Sequence, residues 1–323
     1  MFLLRLDMRA PAGGVPAAEL YAAAIEMCRV AERHDCLTVV LSEHHGAEDG
    51  YLPTPLVFAS AIAAATTSLP ITVAVVVLPL ADPIRLAEEM VVLDVISRGR
   101  VTFVAGLGYL RDEYAMFDAD FTRRGAVADE ALPLLLRART GEPFERDGRT
   151  FQVTPTPHTA GGPVVAWGGG TVAAARRAGR NGIGFFAQTG DPELGTAYSE
   201  AARAAGHEPQ FCFLPDTSTP TAVFVTDDVE RSWDELGAHL MHDVRSYQRW
   251  NAGATNLTSV SAATTAEELR AERRSHLVLT VDEAVELVRT GVPLSLHPLI
   301  GGLPPEIAWR YFRTVVDEVL PRL

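Results

Sequence analysis

The run Leu41-Ser42-Glu43-His44-His45-Gly46 sets two imidazoles beside a carboxylate at the end of a short apolar stretch, a combination that can move protons near neutral pH. Neighbouring residues leaving a strand point in different directions, so one of the two histidines is expected to face a pocket. The structural alternative is one buried, hydrogen-bonded histidine and one surface histidine. A second motif, Trp167-Gly168-Gly169-Gly170-Thr171, leads into a helical pattern that opens at Val172. Consecutive glycines ahead of a helix turn several peptide N–H groups toward one point, and the helix dipole adds favourable potential for an anion. Thr171 adds a hydroxyl and Arg123 or Arg124 a positive charge, with a flexible connector as the plain alternative. A third stretch, Gly106-Leu107-Gly108-Tyr109-Leu110 followed by Arg111, Asp112 and Glu113, has glycines that admit close backbone approach or a tight turn. His297-Pro298 ends another apolar run. His239 and His242 share a helical face but have no third ligand near, so no metal site is expected, and Cys28 reads as a packed core residue.

Composition narrows the chemistry. The chain has 323 residues, 47% hydrophobic and 21% charged, and its 28 basic residues against 41 acidic ones leave a net charge of −13. That balance repels nucleic acid and anionic membrane surfaces. All the basic residues are arginines, which excludes Schiff-base catalysis and the lysine of a triphosphate loop, so the glycine run suits a monophosphate. Three scattered cysteines, Cys28, Cys36 and Cys212, form no disulfide framework and fit a reducing compartment. The first nine residues lack the apolar region of a signal peptide, and the apolar stretch 56–81 is broken by Thr66, Thr67, Ser68 and Pro70. A soluble, cytoplasmic protein is expected.

The elements that must position these groups alternate. Short Val-, Ile-, Leu- and Phe-rich runs at 2–7, 37–41, 71–78, 101–105, 164–167, 182–186, 222–225 and 294–296 predict eight strands. Helical spacing at 17–34, 54–66, 83–96, 125–139, 172–180, 192–205, 229–250 and 305–320 fills the gaps, with acidic starts at Asp82-Pro83, Asp191-Pro192 and Asp227-Asp228. Eight βα units predict an α/β fold, a (β/α)8 TIM barrel formed by residues 1–323 as a single domain. Two insertions break the rhythm. One is a hairpin after helix 4, signalled by Asp147-Gly148, and the other is the long polar loop 251–276 before strand 8, read as a lid. The segment 54–66 is apolar all round and needs cover on both sides, which predicts a homodimer.

Together these landmarks resemble the bacterial-luciferase-like flavin-dependent monooxygenase family. The pieces that carry the resemblance are Glu43-His44-His45, the run from Val77 to Glu89 with its Ala81-Asp82-Pro83, the stretch Leu93 to Arg100, the turn after Gly106, the glycines 168–170, and His297-Pro298-Leu299 with Gly301-Gly302-Leu303-Pro304-Pro305. The resemblance implies a β/α barrel that binds reduced FMN delivered by a separate flavin reductase. A C4a-peroxyflavin formed with O2 would then oxygenate a small organic substrate. By position, His44 would be the catalytic acid/base group. Gly169, Gly170 and Thr171 would hold the phosphate with Arg124, Ala74-Val75 would form a non-prolyl cis peptide behind the ring, and Gly106 and Gly108 would border the cofactor. His45, Leu110, Glu113 and His297 would line the substrate pocket.

Gly106 and Leu110 depart from the light-emitting relatives, which have cysteine and tyrosine there. Neither light emission nor a long-chain aldehyde substrate is expected, and a larger substrate pocket is. Two rival readings stand beside this one: a deazaflavin-dependent oxidoreductase transferring hydride on the same scaffold, and a non-catalytic flavin-binding protein.

Overall fold

The computed structural model describes residues 1–216, 219–251 and 260–323. The chain runs β1 (Phe2–Leu6), α1 (Ala17–Glu32), β2 (Val39–Leu41), α2 (Pro55–Ala65), β3 (Ile71–Val77), α3 (Pro83–Ser97), β4 (Val101–Gly106), α4 (Arg111–Met116) and α5 (Arg124–Ala138). A hairpin, β5 (Phe144–Arg146) and β6 (Arg149–Phe151), precedes β7 (Val164–Gly169), α6 (Val172–Arg180), β8 (Gly184–Ala187), α7 (Pro192–Ala204) and β9 (Cys212–Phe213). Then come β10 (Ala222–Thr226), α8 (Val229–Trp250), α9 (Ala266–Glu272), β11 (His276–Thr280), α10 (Val281–Arg289), β12 (Leu294–Leu296) and α11 (Pro305–Thr314).

This is the expected α/β architecture of the TIM-barrel class, with a parallel central sheet and the expected hairpin as its antiparallel insertion. The chain divides into two compact units. The first comprises residues 1–40, 47–52 and 216–323, and the second 41–46 and 53–215. In the first unit the parallel strands are ordered β11-β10-β12-β1; in the second, β3-β4-β7-β8-β9. β2 straddles the division. β10 is buried along its whole length, while β1 alternates buried and half-buried residues.

Local chemistry sets the element ends. The Asp82 carboxylate accepts the N–H groups of Ile84 and Arg85, both at 2.9 Å, with Pro83 in the first turn, so α3 starts where the acidic signal put it. Asp191 and Asp228 cap α7 and α8 in the same way. In the hairpin, Asp147 and Gly148 both take positive φ, 51° and 71°, and pair Arg146 with Arg149.

Five elements lie outside the eight-unit reading: α4, β9, α9, β11 and α10. The loop expected over 251–276 contains α9, capped by Thr265, and ends on the first residue of β11. Its residues 252–259, in the first half of the expected lid, lie outside the described residues. Its later part is tied to α8, where the Gln248 side chain donates to the carbonyls of Ser261 and Ala263 at 2.9 Å each.

Candidate active site

In the second unit, the chain leaving β2 delivers Glu43, His44 and His45. His44 is only 7% exposed, and its Nδ1 lies 2.8 Å from Oε1 of Glu113, a fully buried carboxylate in the first turn of α4. The same oxygen accepts the backbone N–H of His45 at 2.9 Å. The oxygen that accepts the His45 N–H also accepts from Nδ1, which puts the proton there and turns Nε2 away from Glu113. The Tyr109 hydroxyl sits 3.2 Å from that Nε2, with the two rings edge to face at 5.5 Å. Glu113, expected to line a substrate pocket, therefore acts on the histidine. Tyr109, which the sequence reading passed over, completes the group, and its place just past the end of β4 was the signal available.

His45 takes a different carboxylate. Its Nε2 is 2.7 Å from Oε1 of Glu43, and its ring packs edge-on against Phe117 at 4.8 Å. Burial by itself would lower the pKa of His45, but the hydrogen bond and charge of Glu43, with the charge of Glu113, outweigh it and raise it. The other oxygen of Glu43 accepts the N–H of Val77 at 3.4 Å, which ties this loop to the end of β3.

Just before that point β3 is irregular. Ala74-Val75 is a cis peptide, as the resemblance implied, and the register against β4 shifts between Ala74 and Val76. The Val75 side chain lies against two glycines, one on the adjacent β4 and one on β7. A Cβ on Gly106 would sit 3.2 Å from Val75, and one on Gly168 2.9 Å from its Cγ1. Val75 thus lies against the position a side chain on Gly106 would start from. Gly108 is held at φ +67°, and a Cβ there would come within 2.8 Å of Val77 Cγ1. Leu110 follows as the residue before α4.

The glycine run leads into a helix, as read, and that helix is capped. Thr171 is the N-cap of α6, and its Oγ1 accepts the Ala174 N–H at 3.2 Å, which leaves the hydroxyl proton to donate outward. Gly169 allows the close start, since a Cβ there would lie 2.6 Å from that of Ala174, and a Cβ on Gly170 would meet Gln188 at 3.1 Å. Arg177 of α6 donates to Asp129 at 2.8 Å and to the Gly125 carbonyl at 3.2 Å, binding α6 to the first two turns of α5. At the start of α5 Arg124 stacks on Phe121 at 3.8 Å and donates through Nη1 to the Phe121 carbonyl, while its buried Nε has no hydrogen-bond acceptor among the described residues. The Thr171 hydroxyl and the first-turn N–H groups of α6 are donors of the kind a phosphate monoester takes, and Arg124 opens the helix, α5, that Arg177 ties to α6.

His297 belongs to the first unit. It is buried there, its Nε2 lying 3.3 Å from Asp7 Oδ2. Asp7 binds the fully buried Arg9, whose guanidinium also meets Asp49 at 2.8 Å and Asp243 at 3.6 Å and lies 4.7 Å from the Tyr51 ring and 4.9 Å from that of Trp250. Each of the three aspartates has its own histidine: His297 on Asp7, His242 on Asp49 at 2.7 Å and His276 on Asp243 at 3.1 Å. His239, the other half of the pair weighed as ligands, bonds instead to the Gly301 carbonyl. Among the described residues no group of three or more His, Cys, Asp or Glu is placed to hold a metal ion.

Comparison with known proteins gives a consistent result. Residues 2–289 match the family described as luciferase-like monooxygenase. The alkanal monooxygenase alpha chain of Photorhabdus luminescens is 30% identical over 194 residues, which are 57% of this chain and 54% of that one. The chain thus spans about half the length of this curated relative. Among solved structures, the monooxygenase RslO1 from Streptomyces bottropensis superposes with a TM-score of 0.76 at 22% identity, covering 100% of this chain and 99% of the other. The oxygenating constituent of 3,6-diketocamphane monooxygenase from Pseudomonas putida, a type II Baeyer–Villiger monooxygenase in complex with FMN, gives 0.70 at 18% identity with the same coverage.

Proposed function

Because the chain belongs to the luciferase-like monooxygenase family, we propose that it is a flavin-dependent monooxygenase using reduced FMN and O2 to oxygenate a small organic substrate. The observation that carries this reading is the buried Glu113–His44 pair in the same compact unit as the Thr171 cap and the acceptor-less Arg124 Nε. An acid–base imidazole and a phosphate seat are the two things such an enzyme must supply. Reduced FMN, when bound, supplies the electrons that activate oxygen. Arg124, Thr171 and the N–H groups that follow Gly169 and Gly170 hold its phosphate, and Val75, backed by Gly106 and Gly168, supports the ring. His44 holds a proton on Nδ1 against Glu113 and exchanges one at Nε2, with His45 and Leu110 bordering the same loops.

A separate flavin reductase supplies the reduced cofactor. The protein acts in the cytoplasm, where Cys28 and Cys36 stay reduced; among the described residues no helix is long and apolar enough to cross a membrane. It works as a homodimer through α2 and α3. Val57 on α2 and Val92, Val95 and Ile96 on α3 are exposed, beside a groove of about 510 Å³ lined by Leu56, Val57, Leu86 and Val92.

Anaerobic titration with reduced FMN and, separately, with a reduced deazaflavin tests the cofactor. Admission of labelled O2 over a panel of small aldehydes, ketones and cyclic alkenes then tests the reaction. Binding of reduced FMN with label entering a product is expected; tight binding of the deazaflavin alone overturns the reading. His44→Ala is expected to lower kcat by about 10²- to 10⁴-fold with FMN affinity nearly unchanged. Equal activity in that variant removes His44 from the mechanism.

A further inference from the structure

Both ring nitrogens of His44 are engaged. Nδ1 faces the buried Glu113 carboxylate at 2.8 Å, and Nε2 faces the Tyr109 hydroxyl at 3.2 Å. The imidazole is 7% exposed, whereas Tyr109 is half-buried, one residue past Gly108 on the loop between β4 and α4. The phenol is thus the group set on the ring nitrogen opposite Glu113, and it is the more exposed of the two side chains. We infer that Tyr109 is a further catalytic residue, the carrier that passes the proton between His44 Nε2 and the oxygen atom that reacts. This inference rests on the reading of His44 as the acid–base group.

In the acid direction two bonds break and two form. The Oη–H bond of Tyr109 breaks as its proton goes to the substrate oxygen, and the Nε2–H bond of the protonated imidazole breaks as that proton goes to Oη. Tyr109 ends as a neutral phenol, and His44 ends neutral with its remaining proton on Nδ1 against Glu113. No electrons are transferred between groups. In the base direction the same two protons move the opposite way, and Glu113 holds the cation formed on the ring. The relay needs no movement of His44, because the Glu113 oxygen that fixes it is itself held by the His45 N–H at 2.9 Å.

Tyr109→Phe keeps the ring and its edge-to-face contact and removes only the hydroxyl. In the apoprotein, nitrogen NMR of His44 is expected to show Nδ1 protonated in both forms and the Nε2 resonance displaced in the variant. In turnover with whichever reduced flavin binds, kcat is expected to fall about tenfold or more, with KM changed less than about twofold and the solvent isotope effect on kcat lost. A packing role would alter KM or stability and leave the isotope effect in place. An unmoved Nε2 resonance, or an unchanged kcat and isotope effect beside a moved resonance, overturns the proposal. If FMN fails and the deazaflavin supports turnover, the cofactor reading falls while the relay is still judged by the same three quantities. No turnover with either flavin overturns both, the NMR result then recording a hydrogen bond without a catalytic role.

Discussion

His45 is raised in pKa because the hydrogen bond and charges of Glu43 and Glu113 exceed the penalty of burying its ring, and the pairing has a thermodynamic consequence. A histidine raised above its ordinary 6.5 binds a proton more tightly folded than unfolded, so its stabilisation is complete below pH 6.5 and is lost as pH rises through the folded value. Urea unfolding at pH 5.5 and 8.5 is expected to show this loss in the wild type and a smaller one in Glu43→Gln. Equal losses in the two proteins would mean that Glu43 is not the cause. His44, the neighbour, is committed to Glu113 instead, and the sequence could not apportion the two carboxylates. Glu43 is adjacent in sequence, but Glu113 is 69 residues from His44, and only the packing of α4 against the loop after β2 joins them. The three histidines that back Asp7, Asp49 and Asp243 were illegible for the same reason.

At the scale of elements, the strands and most helices follow from apolar period and capping chemistry, which are local and therefore readable. α10 was readable as well. Thr280 and Glu283 form a reciprocal capping box, and Ala284, Val285 and Val288 are buried at helical spacing. Thr280→Ala is expected to cost about 1 kcal/mol in denaturant unfolding. α4 is too short, at six residues, for a periodic signal, and its place depends on the turn at Gly108. Gly108→Ala meets both a positive φ and a 2.8 Å approach to Val77. We expect a loss of roughly 1–3 kcal/mol, with kcat also reduced because Tyr109 and Glu113 lie immediately downstream. A variant as stable and active as the wild type would show that the loop adapts.

At the scale of the whole molecule, charge and exposed apolar surface make separate predictions. Burial would raise Asp243, but the hydrogen bond and charge of His276, with the charges of Arg9 and His297, bring it down to about 2. Above pH 3.8 the carboxylate is ionised folded and unfolded, and its contribution is complete. As pH falls from 3.8 toward 2 the unfolded chain takes up the proton first and the contribution is lost. The Tm is expected to drop across that interval. Asp243→Asn is expected to be less stable at neutral pH by roughly 3–5 kcal/mol and to show a shallower acid dependence. The exposed valines of α2 and α3 are tested by sedimentation at micromolar concentration. The wild type is expected as a dimer and Val57→Asp as a monomer of unchanged stability, since Val57 is 70% exposed in one chain. A monomeric wild type removes the dimer.

The sequence by itself determined the βα alternation, the capped starts of α3, α7 and α8, the hairpin at Asp147-Gly148, and the Glu-His-His and glycine motifs on which the proposed function draws, because each is written within a few consecutive residues. Tertiary structure alone decided which carboxylate serves which histidine, that Val75 fills the space beside Gly106, that Tyr109 stands on His44 Nε2, and that His297 joins Asp7 and Arg9. Apart from Glu43 and His45, those pairings link residues tens to hundreds of positions apart, and a hydrogen bond is settled by a few tenths of an ångström of packing that local patterns do not encode.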